Sequence, residues 1–265
     1  MRTSLLSAAF SSAVILAGSH AFADVTVLHV GDKLARAYLL KPGIHRYARY
    51  TITPDGHRNA IDVWSREIRY EVEDGRRLLH IHQQWDEISP ATVLIQDSWF
   101  EPDTLRPLTH IKRVMFDGKT LIGGYRFLPD KIVGMDELAD NSRKGFLQAS
   151  AEPTYNWVTD MEFLQALPLA EGYTASIDFY DPGQDAPDRY TYTVTGSDKI
   201  AQADGSAIDC WVVAHSFKSD KGSSRFWFAK KTQVLVREEA TTPDGNVLVK
   251  TLLNPEGGDA GTETP

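Results

Sequence analysis

Five Asp-Gly dipeptides punctuate this chain, at Asp55-Gly56, Asp74-Gly75, Asp117-Gly118, Asp204-Gly205 and Asp244-Gly245. Asp and Gly both tolerate the positive φ of a tight hairpin turn, so each pair marks a hairpin where alternating segments flank it. The flanks do alternate. Along Trp64 to Glu73 one face carries Trp64, Ile68, Tyr70 and Val72, and the other Ser65, Glu67, Arg69, Glu71 and Glu73. That period of two belongs to a half-buried antiparallel strand. Beyond Asp74-Gly75, Leu79, Ile81 and Trp85 alternate with His80, His82 and Gln84. The same pattern predicts strands over 46–53, 92–100, 108–116 and 120–128, then 173–180, 190–195, 208–217, 224–228, 234–240 and 247–253.

About a dozen strands joined by tight turns predict a mainly β protein built on one large antiparallel sheet. Such a sheet is amphipathic and must pack on something or curl, here into a barrel or half-barrel. One segment breaks the period. Thr159-Asp160-Met161-Glu162 fits a helix-start capping box and leads into Phe163-Leu164-Gln165-Ala166-Leu167 before Pro168. This predicts a short helix, starting as early as Thr154. Phe163, Leu164 and Leu167 share one helical face, which places the helix on the concave side of the sheet. A second short helix is expected over Asp136 to Arg143. No linker interrupts residues 24–253, which read as one domain. The tail 254–265, rich in Gly, Glu and Thr, reads as disordered.

Residues 1–23 have the form of a secretory signal peptide. Arg2 is followed by a mostly apolar stretch, Leu5 to Leu16, and by the small-x-small site Ala21-Phe22-Ala23. The apolar stretch is shorter than the ~20 residues that span a bilayer. Leu16-Ala17-Gly18 resembles the run before a lipidated cysteine, but Ser19 has no thiol to carry a lipid. The expectation is cleavage after Ala23, no lipid anchor, and release into the periplasm or medium.

Composition narrows the partners. The chain has 28 Lys and Arg against 36 Asp and Glu, a net charge of −8, and losing Arg2 makes it one unit more negative. This excludes a nucleic-acid partner and charge-driven docking on anionic lipid. Cys210 is the only cysteine. It allows no intrachain disulfide, and in the apolar run Ile208 to Val213 it reads as a packed, inert thiol.

The motifs of common enzymes are missing: there is no G-x-S-x-G, H-E-x-x-H, C-x-x-C, P-loop or G-x-G-x-x-G. The reading is therefore a protein without cofactor and without catalytic residues. Asp160 with Glu162, and Asp86 with Glu87, are carboxylate neighbours. Neighbours in sequence define no acid–base separation across a cleft. Asp160 and Glu162 already suit a helix N-terminus. His80 and His82 are the one suggestive metal pair, facing the same way on a strand. Zinc chemistry needs three protein ligands, and His110 or Asp97 would have to arrive from another strand. The expectation is that both histidines lie on the solvent face with no metal. The aromatic residues say more. Trp64, Tyr70, Trp157, Tyr192, Trp211 and Phe228, with Arg66 on the Trp64 face and Phe163, Leu164 and Leu167 on the helix, are candidates to line a cavity for an apolar or amphiphilic ligand. Arg66 could meet an anionic head group.

The run Cys210-Trp211-Val212-Val213, then Arg225-Phe226-Trp227-Phe228, then Lys230-Lys231-Thr232-Gln233-Val234-Leu235-Val236-Arg237 resembles the closing strands of a secreted bacterial family of unknown function. Phe163 to Leu169 followed by Gly172 resembles its apolar helix. The resemblance runs from Tyr155 to Leu253, and the first half shares only the strand pattern. It implies the half-barrel of periplasmic lipoprotein carriers and their outer-membrane receptor, a curled sheet closed by helices around an apolar cavity. Ser19 departs from the anchored receptor, and no functional residue transfers. Three functions follow as expectations: a soluble periplasmic carrier for a lipid, acyl chain or lipoprotein tail; an envelope scaffold that binds a protein partner; or an envelope hydrolase with scattered residues. The sequence leaves the oligomeric state open.

Overall fold

A computed structural model describes residues 24–88, 91–183, 186–216 and 222–253. Residues 1–23, where a signal peptide is expected, and the expected tail 254–265 lie outside these. Strand β1 (Val25–Leu28) precedes a first meander: β2 (Gly43–Ile52), β3 (Arg58–Glu73), β4 (Arg76–Ile88), β5 (Ala91–Phe100), β6 (Pro107–Phe116), β7 (Lys119–Leu128), β8 (Lys131–Gly134) and β9 (Leu147–Ala149). Then come β10 (Tyr155–Asn156) and the helix α1 (Asp160–Gln165). A second meander follows: β11 (Thr174–Tyr180), β12 (Asp188–Ala201), β13 (Ala207–Ser216), β14 (Ser223–Ala229), β15 (Leu235–Thr241) and β16 (Val247–Leu252).

All sixteen strands of the described residues form one sheet. The last strand of the second meander, β16, pairs antiparallel with the first of the first, β2, so the two meanders lie side by side. The edge strand β11 is covered at one end by β1 and at the other by β10, both parallel to it. Covering that edge hides backbone donors and acceptors that would otherwise template another strand. All twelve expected strands are present. The four that pattern missed, β1, β8, β9 and β10, are two to four residues long, too short to show a period.

Each Asp-Gly pair sits at a hairpin. Asp74 and Gly75 have φ of 50° and 76°, and Asp117 and Gly118 have 50° and 67°. Two positive values in succession make the two-residue turn whose twist suits right-twisted strands. These turns set the register: Glu73 faces Arg76, and Phe116 faces Lys119.

The sheet curls around α1. One buried cluster joins Tyr47, Trp64, Ile68, Leu79, Ile81 and Phe100 from the first meander to Ile177, Tyr192, Val213, Phe228 and Leu252 from the second, with Phe163, Leu164 and Leu167 between them. The two ends of the sheet approach through side chains: Tyr180 of β11 packs with Tyr125, Phe127 and Ile132.

Three local expectations are corrected. Residues 136–143 are not helical. They form turns held by Asn141, which accepts from Gly124 N at 2.9 Å and donates to Gly124 O and Met135 O. A Cβ at Gly134, at the end of β8, would meet the Arg143 backbone carbonyl at 1.8 Å, so the loop needs a glycine there to pack this closely. The helix does not begin at Thr154, because Tyr155 and Asn156 pair with Phe179 and Tyr180 and a 3-10 turn over Trp157–Thr159 intervenes. The capping box does not form. Thr159 donates its hydroxyl to Asn156 O, and Glu162 turns to another partner.

Candidate functional site

That partner is Arg66. It stands on β3 between Trp64 and Ile68, on the face that alternation turns inward. Its Nε donates to Glu162 Oε1 at 2.7 Å and its Nη2 to Glu162 Oε2, the two-pronged geometry that suits guanidinium and carboxylate. Nη1 donates to Gln83 Oε1 at 2.8 Å and Nη2 to Val158 O at 3.2 Å. The two charged side chains retain 2% and 6% of their exposure. The far end of the helix is also tied: Gln233 Nε2 donates to Gln165 O and Leu167 O, at 2.9 and 2.8 Å. Helix α1 is therefore pinned by polar contacts at both ends and by apolar ones between.

Around this pair the concave face is aromatic and cationic. The Arg66 guanidinium lies 4.5 Å from the Trp64 ring centroid and Lys250 Nζ 4.8 Å from it. Lys250 in turn pairs with Glu238 at 2.5 Å. Trp85 meets Trp64 edge-on at 4.9 Å and lies 4.2 Å from the Arg49 guanidinium, which pairs with Asp62 and Glu87. Among the described residues, no acceptor meets the buried indole N–H of either Trp64 or Trp85. Buried donors left this way are costly, and an oxygen acceptor would satisfy them.

Asp160, at the start of the helix, keeps partial solvent access yet is largely enclosed. Burial, then repulsion from Glu238, pushes its carboxyl up to about 7 against the pull of Lys250 and Arg66. Its proton is thus held more tightly in the folded than in the unfolded chain. The stability it contributes is full below its unfolded value of 3.8 and is lost as pH rises to about 7. Urea titrations across that window should show the wild type losing stability relative to Asp160→Asn by on the order of 2 kcal/mol, with the partial exposure allowed for. Parallel profiles for the two proteins would remove Asp160 from the account.

All ten residues that the sequence put forward as cavity lining meet in this one region. Trp64, Phe163, Leu164, Leu167, Tyr192 and Phe228 are buried in the central cluster, with Tyr70, Trp157 and Trp211 packed against it. In this conformation they pack on one another, with α1 filling the curl. Sequence reasoning missed Glu162 as the partner of Arg66, and with it Gln83, Lys250 and Glu238. Gln83 was within reach, since it stands directly across from Arg66 when residues are counted from the Asp74-Gly75 turn. Cys210 is buried, and burial followed by Asp198 and Asp209 pushes its thiol up to about 11, out of reach of nucleophilic chemistry at neutral pH.

On the opposite, convex face the outcome departs from expectation. His80 and His82 share that face, but His80 is only 5% exposed, lying flat on Trp99 with ring centroids 4.4 Å apart. Asp97 does arrive from β5, in register with His82. His110 does not: it turns inward to Ser98, and burial lowers it to about 3.

The fold and the concave site define a class, a half-barrel of antiparallel strands wound around one short, buried helix. Within it, residues 48–253 match the model of the family described as protein of unknown function DUF3108, and the chain belongs to that family. This agrees with the resemblance drawn from the closing strands. No curated protein matches the chain. Among solved structures it is similar to a β-barrel-like DUF1849 protein from Brucella abortus, at 13% identity over 80% of this chain and 97% of that one, with a TM-score of 0.48. A DUF1329 family protein from Desulfovibrio piger matches at 12% identity over 82% and 86%, with a TM-score of 0.31. No helix among the described residues is long and apolar enough to cross a membrane.

Proposed function

We propose that this protein is an exported binding or carrier module for an amphiphile, and that the concave face now filled by α1 is its ligand site. The buried Arg66–Glu162 pair carries the reading. A buried ion pair contributes little net stability, because desolvation offsets its attraction, so its use in place of apolar packing calls for another reason. An exchange supplies one: the helix lifts out with Glu162, an anionic or oxygen-rich head group takes its place on Arg66, and α1 then closes over the loaded curl as a lid through its apolar face. The unpaired indole N–H groups of Trp64 and Trp85 favour the same kind of group. Phe163, Leu164 and Leu167 occupy the space that an acyl chain would take. The ligand class is a lipid, fatty acyl chain or lipoprotein tail. The signal segment at residues 1–23 and the absence of a cysteine at Ser19 support release into the periplasm without an anchor.

Protein recovered from the envelope fraction and sprayed under native conditions should carry a co-purifying mass that organic solvent releases as an amphiphile. Its N-terminus should be Asp24. A chain that is ligand-free from cells, and that takes up no labelled fatty acid or phospholipid in vitro, would overturn the carrier reading. The scaffold reading would then stand, with a protein partner to be sought by crosslinking.

A further inference from the structure

We infer that the convex face of the sheet carries a second, separate site, which binds one divalent transition-metal ion through His80 Nε2, His82 Nδ1 and Asp97 Oδ1. These atoms come from two neighbouring strands, and register alone brings them together: His82 faces Asp97 across the β4–β5 pair, and His80 precedes His82 by two residues on the same face. Both imidazoles aim at one oxygen. His80 Nε2 is 3.0 Å and His82 Nδ1 2.8 Å from Asp97 Oδ1, and the three ligand atoms lie within 4.8 Å of one another. Tetrahedral coordination at ~2.0–2.1 Å separates ligands by roughly 3.3 Å, so small side-chain rotations admit an ion.

The surroundings are those of a built site. Glu71 Oε1 meets His80 Nδ1 at 2.7 Å, the carboxylate–histidine arrangement that fixes the ring and aims its other nitrogen, Nε2, at Asp97, where an ion would lie between them. Glu71 is held in turn by the Trp99 indole N–H at 3.1 Å, and Trp99 stacks on His80. Arg113 holds Asp97 by its other oxygen, Oδ2, at 2.8 Å. Two imidazoles and one carboxylate make a borderline donor set, suited to Zn²⁺ and its first-row neighbours rather than to Ca²⁺ or Mg²⁺. Charge favours a cation as well: the carboxylates of Asp97, Glu71 and Glu67 stand against the guanidinium groups of Arg113 and Arg69. His82 retains 26% of its side-chain exposure, which gives an ion a way in. Three protein ligands leave at least one position for water or another donor. A groove of about 810 Å³ adjoins the cluster, sharing Glu71 and Trp99 and continuing past Leu78, Ile111 and Arg126. The site stands on the opposite face from the concave one and does not depend on its function.

The full chain, stripped with EDTA, is to be titrated with Zn²⁺ against a chromophoric chelator and then dialysed for elemental analysis. The expected result is one Zn²⁺ per chain. His82→Ala and Asp97→Asn should each weaken it by at least ~100-fold, and Glu71→Gln by about 10-fold, as an outer partner does. Their far-UV circular dichroism should stay unchanged, since His82 is partly exposed and Asn and Gln keep the shape of the carboxylates they replace. His57→Ala, at the exposed turn between β2 and β3, should bind as the wild type does. Zinc uptake by the wild type no greater than by the His82→Ala/Asp97→Asn double variant, or an equal loss in His57→Ala, would overturn the site.

Discussion

Glu162→Gln is expected to lower the unfolding free energy by about 3–5 kcal/mol, whereas the double change Arg66→Met with Glu162→Met should be neutral to within ~1 kcal/mol or stabilising. The asymmetry follows from burial. Glutamine leaves the Arg66 guanidinium in the core, at 1% exposure, without the carboxylate that neutralises it. Its remaining acceptors, Gln83 and the Val158 carbonyl, are neutral. Removing both charges eliminates the desolvation cost along with the attraction, and methionine fills the space between Trp64 and the helix. Urea denaturation followed by circular dichroism measures both values. If the single change costs under ~1 kcal/mol, or the double change costs as much as the single one, the pair is not an isolated buried couple. The comparison also bears on function. A contact that apolar residues replace without loss is there for something other than stability.

How much of this was legible in the sequence depends on distance along the chain. Strand pairing across the Asp-Gly turns is local, and the turn residues state it: Asp74-Gly75 fixes Trp64 against Trp85 and Arg66 against Gln83. The short edge strands lack enough residues to show a period, and β1 and β10 exist only because β11 offers them an edge. Glu162 shows why a local motif can mislead. Thr159 to Glu162 reads as a capping box, worth about 1 kcal/mol to a helix end. An arginine 96 residues upstream wins the carboxylate instead, since leaving that guanidinium unpaired in the core would cost more. His80 is a similar case. Alternation assigned it to the correct face, but Trp99, one strand further on, covers it. The β4–β5 connection carries no Asp-Gly pair, so no turn signal states the register that sets Asp97 against His82.

Leu164→Glu is expected to abolish ligand retention while leaving the sheet folded. Leu164 has no exposure at all, and it lies with Phe163 and Leu167 against residues from both meanders. A carboxylate there has no cation to meet, since Arg66 is committed to Glu162. It cannot stay ionised in an apolar core. The least costly response is for α1 to leave the curl. That departure gives up three large apolar contacts, roughly 1.5–3 kcal/mol each, together with the Gln233 bonds to Gln165 and Leu167. The strand ladder, continuous from β11 through β16 and β2 to β9, keeps its own hydrogen bonds. The variant should therefore retain its β circular dichroism, bind a hydrophobic dye that the wild type excludes, and release any amphiphile on gel filtration. Retention equal to wild type would show that the helix is neither lid nor plug. Complete loss of β signal would make α1 an indispensable part of the core, and Leu167→Ala, a milder change in the same wall, would then have to release ligand from a folded protein for the lid to survive.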